Sequence, residues 1–376
     1  MEYKRLGDIA TYINGYAFKP SDRGEVGLPI IRIQDLTGNS YDLAYYNGAY
    51  PEKIEINNGD VLISWSASLG VYIWTNGKAL LNQHIFKVVF DKIEVDKNYF
   101  VFAVQYYLKE MQRHAHGATM KHIIKKDFDN TRIPFPSLEQ QENISKMLLK
   151  TKQLINAYQQ EIDKLDNLVK ARFVEMFGDC DLSHQNQDWK HISDIGTVVG
   201  GSTPKTSVDE YWNGEYRWIS PAEIQQDSGI IFDSVKKITK AGIDSCSLQE
   251  LPVGTVILSS RAPIGKLAIA GNTFYCNQGF KNIICKDNIL PRYLYSLLLY
   301  NTEYLNSLGR GATFKEISKS IVENIKIPVP IMEKQKEFEL FVQHIDKLKL
   351  LCHLIRLVPR HLLFNEKVEA EKAVTK

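Results

Sequence analysis

The chain repeats itself, and that constrains its architecture more than any other feature. GATMKHI (117–123) returns as GATFKEI (311–317), identical at five of seven positions and 194 residues further on. A single match of that quality is expected by chance in a chain of 376 residues, so the order of further matches decides the matter. LGDIATYING (6–15) faces ISDIGTVVGG (192–201) at an offset of 186, and NGDVLISWSASLG (58–70) faces VGTVILSSRAPIG (253–265) at 195. LNQHIFK (81–87) faces CNQGFKN (276–282) with Asn-Gln aligned at 195, and RIPFPSLEQQENI (132–144) faces KIPVPIMEKQKEF (326–338) at 194. Five collinear anchors with small insertions between them are a duplication. The chain therefore folds as two copies of one module, with the length differences in loops.

The first part of each copy alternates short strand-like runs with Asn-Gly and Gly-Asp turn signals. LPIIRIQDL, GDVLIS (59–64) and HIFKVVF (84–90) are answered by YRWIS (216–220), GTVILSS (254–260) and KNIIC (281–285). Helical patterns stand beside them at 98–115 and 291–308. The modules are α+β or mixed α/β, with strand order open.

The second part of each copy is different. Residues 139–177 contain neither Pro nor Gly, and Ile144, Leu148, Thr151, Ile155, Tyr158, Ile162, Leu165 and Val169 keep a 4-3 heptad spacing. A helix of that length runs about 57 Å, too long for an isolated globular helix and apt for a coiled coil. Phe338, Phe341, Ile345, Leu348, Cys352 and Ile355 repeat the spacing until Pro359 interrupts it. The expectation is an antiparallel helix pair joining two modules about a pseudo-twofold axis. The alternative is that each helix packs on its own module.

Composition bounds the function by exclusion. Apolar content of 44% and charged content of 24% are ordinary for a globular protein. No apolar run approaches the ~18 residues of a membrane span, and MEYKRLGDIA lacks the apolar core of a signal peptide. Five cysteines (180, 246, 276, 285, 352) show no CxxC spacing, which points to a reducing cytoplasm. A net charge of +2 announces no nucleic-acid partner, so a DNA-binding face would depend on where charges are placed.

Catalytic motifs are missing. GSTPKTS (201–207) lacks the spacing of a phosphate loop and reads as a turn. His114/His116 and His353/His361 have no Cys or carboxylate at metal spacing. The glutamate of P-x-x-E-x-Q (136–141, 330–335) opens a helix, where it complements the dipole. Thr313-x-x-Glu316 matches a capping box, predicting a helix that starts at Thr313 with Lys315 in its first turn. In copy one Thr119 keeps half of that box, with His122 in place of the glutamate. RHAHGATMKHIIKK (113–126) holds four basic residues and three histidines with no acid, as either a solvated basic face or a clamp on a nucleic-acid backbone.

Two G-A-T-x-K-x-I junctions, two I-P-x-P-x-x-E-x-Q helix openings, paired Asn-Gln dipeptides and two long helices resemble the specificity (S) subunit of Type I restriction–modification systems, over essentially the whole chain. The resemblance implies two target recognition domains, 1–137 and 186–331, each reading one half of a bipartite site in double-stranded DNA. It implies conserved helical regions at 138–185 and 332–376, which space the modules and dock two methyltransferase (M) subunits. Cofactors would belong to the partners: S-adenosylmethionine to the M subunits, making adenine-N6 methylation, and ATP and Mg2+ to restriction (R) subunits. This chain would hold none, bind no metal and catalyse nothing, and the target adenine would flip into the partner's pocket.

Base readers should differ between copies. The aligned segments diverge at Trp65-Ser66 against Ser260-Arg261, at Val71 against Lys266, and at His84 against Gly279. Candidate DNA contacts are therefore Trp65, His84, Arg261 and Lys266, with Lys87, Arg113, Lys121, Lys205, Lys281, Arg310 and Lys315 as further candidates. Candidate helix–helix contacts are Ile144, Leu148, Ile155, Tyr158, Ile162, Leu165 and Val169 against Phe338, Phe341, Ile345, Leu348 and Ile355. Two other readings stay open: the recognition subunit of a Type IIB-like enzyme, and a pseudo-symmetric scaffold that binds proteins.

Overall fold

The structure is a computed structural model that describes residues 2–39, 42–114, 125–225, 227–261, 263–311 and 315–352, with backbone alone for 111–114, 227 and 228. The chain divides into two compact units, Met1–Ile155 and Asn156–Lys376.

In the first unit, β1 (Tyr3–Arg5) pairs with β10 (Arg132–Pro134) and closes the module at its two ends. One sheet has the order β2-β9-β6-β7, from Thr11–Asn14, Ile85–Val89, Val61–Ser64 and Gly70–Ile73. A second has the order β4-β3-β8-β5, from Ala44–Tyr46, Leu28–Ile31, Ala79–Leu81 and Glu55–Ile56. Strand β6, VLIS, is buried along its whole length, because it is covered on both faces. Val61 and Ile63 pack with Phe100, Val104 and Leu108 of α1 (Lys97–His114), while Leu62 packs with Ile31, Ala79 and Leu81 of the second sheet. The alternation of one strand thus makes helix, sheet and sheet into three layers. The short helix α2 (Lys125–Asn130) follows, and then α3 (Leu138–Phe177), 40 residues long.

The second unit repeats this plan. β11 (Lys190–His191) pairs with β20 (Lys326–Ile327). The first sheet is β12-β19-β16-β17, from Gly196–Gly200, Lys281–Cys285, Val256–Leu258 and Leu267–Ala270, with β14 (Asp227–Ile231) added at its edge. The second is β15-β13-β18, from Lys236–Ile238, Trp212–Ile219 and Tyr275–Cys276. Registers match as well as orders. Ile30↔Leu80 and Ile31↔Leu81 are parallel partners in the first unit, and Trp218↔Tyr275 and Ile219↔Cys276 are their counterparts. The helix expected over 291–308 is broken at Asn301 into α4 (Pro291–Tyr300) and a second piece, Thr302–Ser307. Buried Asn301 accepts from Leu182 N (2.8 Å) and donates to Cys180 O (2.9 Å), so it fastens the chain that leaves α3.

Two expectations are corrected. Thr313 lies outside the described residues, but 315–318, which a helix starting there would include, are not helical. Glu316 N donates to Arg310 O (3.0 Å) and Arg310 N returns the bond to Glu316 O (3.1 Å), so the Glu316 backbone is spent in a ladder. Helix α5 (Lys319–Asn324) starts later, with Ser318 Oγ accepting from Ile321 N (3.2 Å). The strand register also shifts one alignment. Ile63 pairs with Val71 and Leu258 with Leu267, so Val71 answers to Leu267, and Lys266 stands at the position of Gly70. An extra residue in the preceding loop, which turns at Gly265 with φ +87°, causes the slip.

Within the second unit the end of α3 runs antiparallel to the final helix α6 (332–352). Arg172 pairs with Glu337 (2.7 Å), and Asp166 pairs with Lys349. Phe173 meets Phe338 edge-on at 5.4 Å and stacks on Tyr293 of α4 at 5.6 Å. There the two helices meet each other and both pack on the second module, so the end of α3 covers the module that comes after it and not the one it follows.

Candidate nucleic-acid interface

In each unit three loops converge at one end of the sheets, on the same backbone frame. The loop after β2 crosses the Asn-Gln turn so closely that a Cβ on Gly15 would lie 2.0 Å from Asn82 O. After β12, a Cβ on Gly201 would lie 2.0 Å from Cys276 O. Only glycine fits either crossing. Asn82 N donates to Ile31 O (3.1 Å) and Asn277 N to Ile219 O (3.0 Å). The third loop is tied by Trp65 N to His84 O (3.2 Å), and by Ser260 N to Gly279 O (2.8 Å). Beneath the second turn Asn282 Nδ2 donates to Cys276 Sγ (3.1 Å), and burial pushes that thiol up to about 12, so it packs as a neutral apolar group.

The side chains on this common frame differ. In the first unit Trp65 stacks on Phe86 (5.7 Å, 24°) and meets His84 edge-on (4.9 Å). Its Nε1 donates to Asn14 Oδ1 (3.3 Å). His84 holds a left-handed backbone with φ 73°. Tyr16 and Gln83 are exposed beside them. Lys87 turns inward, donating to Glu55 O (2.7 Å) and pairing with Asp60 (3.1 Å). Arg113's side chain and Lys121, with Thr119 and His122 of the first GAT junction, lie outside the described residues, as do Thr313, His353, Ile355, Pro359 and His361.

In the second unit the aromatic cluster is replaced by charge. Lys281, at the position of Phe86, is 13% exposed and pairs with Glu316 (3.2 Å) while approaching Ser260 Oγ (3.3 Å). Arg261 and Arg310 are each bridged through their backbones to Glu316. Lys266 Nζ donates to Pro221 O (2.8 Å). Lys205, Arg310 and Lys315 are exposed, and Arg261 is half-buried. Thr203 Oγ1 donates to Gln278 Oε1 (2.6 Å), which ties the GSTPKTS turn to the Asn-Gln turn. Arg261, Lys281 and Arg310 are thus brought together around Glu316, next to Lys315 in the chain, whereas Lys87 and Lys266 are engaged elsewhere in their own modules.

Two glutamines were missed by sequence reasoning. Gln141 Oε1 accepts from Asp96 N (3.0 Å), and its Nε2 donates to Pro136 O (2.9 Å). Gln335 Oε1 accepts from Leu290 N (2.8 Å), and its Nε2 donates to Pro330 O (2.8 Å) and Asn288 O (3.2 Å). Both are 0% exposed. Tyr99 and Tyr293 add one bond each, to Pro134 O (2.7 Å) and Pro328 O (3.0 Å). The repeated P-x-x-E-x-Q was the available signal: its last residue staples the start of each long helix to the module before it.

Along α3 the positions of the heptad run are covered to different degrees. Ile162 and Val169 are buried, and Ile144, Leu148, Ile155, Tyr158 and Leu165 are partly covered. Along α6 Phe338, Val342 and Ile345 are buried and Phe341 packs at their side, but Leu348 is 49% exposed. Val342 was not among the expected contacts. Among the described residues no group of three His, Cys, Asp or Glu stands close enough to hold a metal ion, and no helix is long and apolar enough to cross a membrane.

A duplicated frame that presents different side chains from each copy defines a two-module recognition protein. The model of the Type I restriction modification DNA specificity domain matches residues 1–167 and again 186–354. The chain belongs to that family, carries its domain twice, and is a DNA-sequence specificity subunit. It is 41% identical over 186 residues to the Type I restriction enzyme MjaIX specificity subunit of Methanocaldococcus jannaschii, a match covering 48% of this chain and 43% of that protein. It is 23% identical to the MjaVIII specificity subunit of the same organism, across 100% of this chain and 90% of the relative. Among solved structures, one from a study of complex assembly and conformational transition in the type I R-M system matches with a TM-score of 0.58 at 16% identity, covering 96% of this chain and 95% of that one. The Type I S subunit of M. genitalium matches with a TM-score of 0.51 at 15% identity, over 94% and 93%. These likenesses establish the shared fold.

Proposed function

We propose that each module reads one half of a bipartite site in double-stranded DNA, and that the long helices set the spacer and dock two methyltransferase subunits. The recognition modules are residues 1–137 and 186–331, and the helical regions are 138–185 and 332–376. The observation that carries this reading is the repeated three-loop frame with divergent side chains, Trp65–His84–Phe86 in one copy and Ser260–Gly279–Lys281 in the other. A constant frame fixes the approach to the duplex, and variable side chains select bases. Exposed Lys205, Arg310 and Lys315 serve as phosphate contacts at the rim of the second face.

This chain supplies specificity and no chemistry. Methylation of adenine N6 uses S-adenosylmethionine on the methyltransferase subunits, and restriction subunits add ATP- and Mg2+-dependent cleavage. With a net charge of only +2, tight binding draws on basic surface of the methyltransferase subunits. The test is a gel shift of the full chain on random-sequence duplex, with and without its co-expressed methyltransferase subunit. Binding that appears or tightens with the partner supports the assignment; no partner-dependent binding overturns it.

A further inference from the structure

The second module differs from the first at two positions that touch. Arg261 follows Ser260, whose N–H is held by Gly279 O (2.8 Å) and whose carbonyl accepts from Ile317 N (3.0 Å). Its own backbone is bridged to Glu316. The Arg261 backbone is therefore fixed from two sides, and its side chain lies across Gly279. A Cβ at residue 279 would stand 3.4 Å from Arg261 Nε, 2.9 Å from Pro221 Cγ and 3.1 Å from Asn277 Oδ1. Any side chain there has to displace the arginine or the proline. The first module has the opposite arrangement: His84 fills the equivalent place against Trp65 (4.9 Å), and buried Ser66 replaces the arginine.

The acid bridged to Arg261 through the backbone is spent elsewhere. Glu316 is engaged by Lys281 (3.2 Å), which is mostly buried, and among the described residues no carboxylate pairs with the Arg261 guanidinium. A planar fork on a fixed backbone, with no carboxylate partner among the described residues, suits bidentate recognition of two acceptors side by side. In the major groove that pattern is guanine O6 and N7.

We propose that Arg261 reads a guanine in the half-site recognised by the second module, with Gly279 as the residue that gives it room and Lys281–Glu316 as the pair that holds its loop. This inference rests on the reading of residues 186–331 as a recognition module. The residue at 84 or 279 then decides whether its neighbour at 66 or 261 reaches the DNA, so the two positions act as a unit.

The test is selection from a randomised duplex library by the full chain with its co-expressed methyltransferase subunit. Wild type, Arg261→Ala, Arg261→Lys, Gly279→His and Lys315→Ala are compared. Arg261→Ala and Gly279→His are expected to lose a roughly 5- to 150-fold preference for one guanine in one half-site, leaving the other half-site unchanged. Arg261→Lys should lose most of that preference while keeping overall affinity, because the charge remains and the fork does not. Lys315→Ala should weaken all sequences alike. An unchanged guanine preference in Arg261→Ala and Arg261→Lys overturns the assignment, and so does equal loss at both half-sites. A wild-type complex that selects no motif overturns the recognition reading beneath it, before any variant is compared.

Discussion

Replacing Gln335 with Ala should loosen the seam between the second module and its long helix. The amide makes three hydrogen bonds, to Leu290 N (2.8 Å), Pro330 O (2.8 Å) and Asn288 O (3.2 Å), from a fully buried position. Each is worth about 1 kcal/mol net, and the stranded Leu290 N–H adds to the cost, so local stability should fall by about 2–4 kcal/mol. A chain of two units does not unfold in one step, so a global midpoint is the wrong readout. Amide hydrogen exchange is better, because it measures opening locally. Exchange at Leu290 and through 332–345 should accelerate roughly 30- to 1000-fold, with exchange in the first unit unchanged. Gln141→Ala should do the same at Asp96, by about 1 kcal/mol less, since Gln141 makes two such bonds rather than three. Acceleration under about threefold at Leu290 would mean that the glutamine is not a staple, and the structural reading of P-x-x-E-x-Q would fail.

Other outcomes follow from the same geometry. Gly201→Ala places a Cβ 2.0 Å from Cys276 O, so the second unit should lose about 1–3 kcal/mol or more, seen as faster limited proteolysis of residues 186–331. Lys315→Ala should lower the slope of log K against log salt by about 1, measured by fluorescence anisotropy on a fixed duplex. Burial pushes the Cys276 and Cys285 thiols up to about 12 from 9.0. Their folded-state pKa is raised, so the stabilisation is complete below pH 9 and is lost as pH rises toward 12, by roughly 1.4 kcal/mol per pH unit for each thiol. Urea unfolding read locally, by alkylation of Cys276 in the second unit, should show that loss between pH 8 and pH 10.5, and alkylation of buried Cys276 at pH 8.5 should require unfolding.

Much of the fold was legible because duplication checks every local signal twice. The strands GDVLIS and KNIIC, the helix after Lys97 and the long helix of the heptad run all stand where their periodicity puts them. The failures have physical causes. Thr313-x-x-Glu316 satisfies the capping pattern, but Glu316 finds a better use for its backbone against Arg310, a pairing that no local pattern encodes. Leu348 keeps the heptad phase, but contact on α6 drifts to Val342, because that helix covers a module as well as a neighbouring helix. Lysines were the least legible. Lys87, Lys266 and Lys281 look alike in sequence to Lys205 and Lys315, yet the first three are tied to carbonyls and carboxylates of their own module. Charge alone does not say which amine faces the ligand.

The central claim is that one chain reads two half-sites, one per module, at a separation set by its helices. The direct measurement is to map methylated adenines in cells that express this chain with its methyltransferase partner, for wild type and for a chain shortened by one heptad within 139–177. The account predicts two short fixed sequences separated by an unspecified spacer, with the heptad deletion changing the spacer and leaving both half-sites intact. A single contiguous motif, or half-site sequences that change when the helix is shortened, would contradict it.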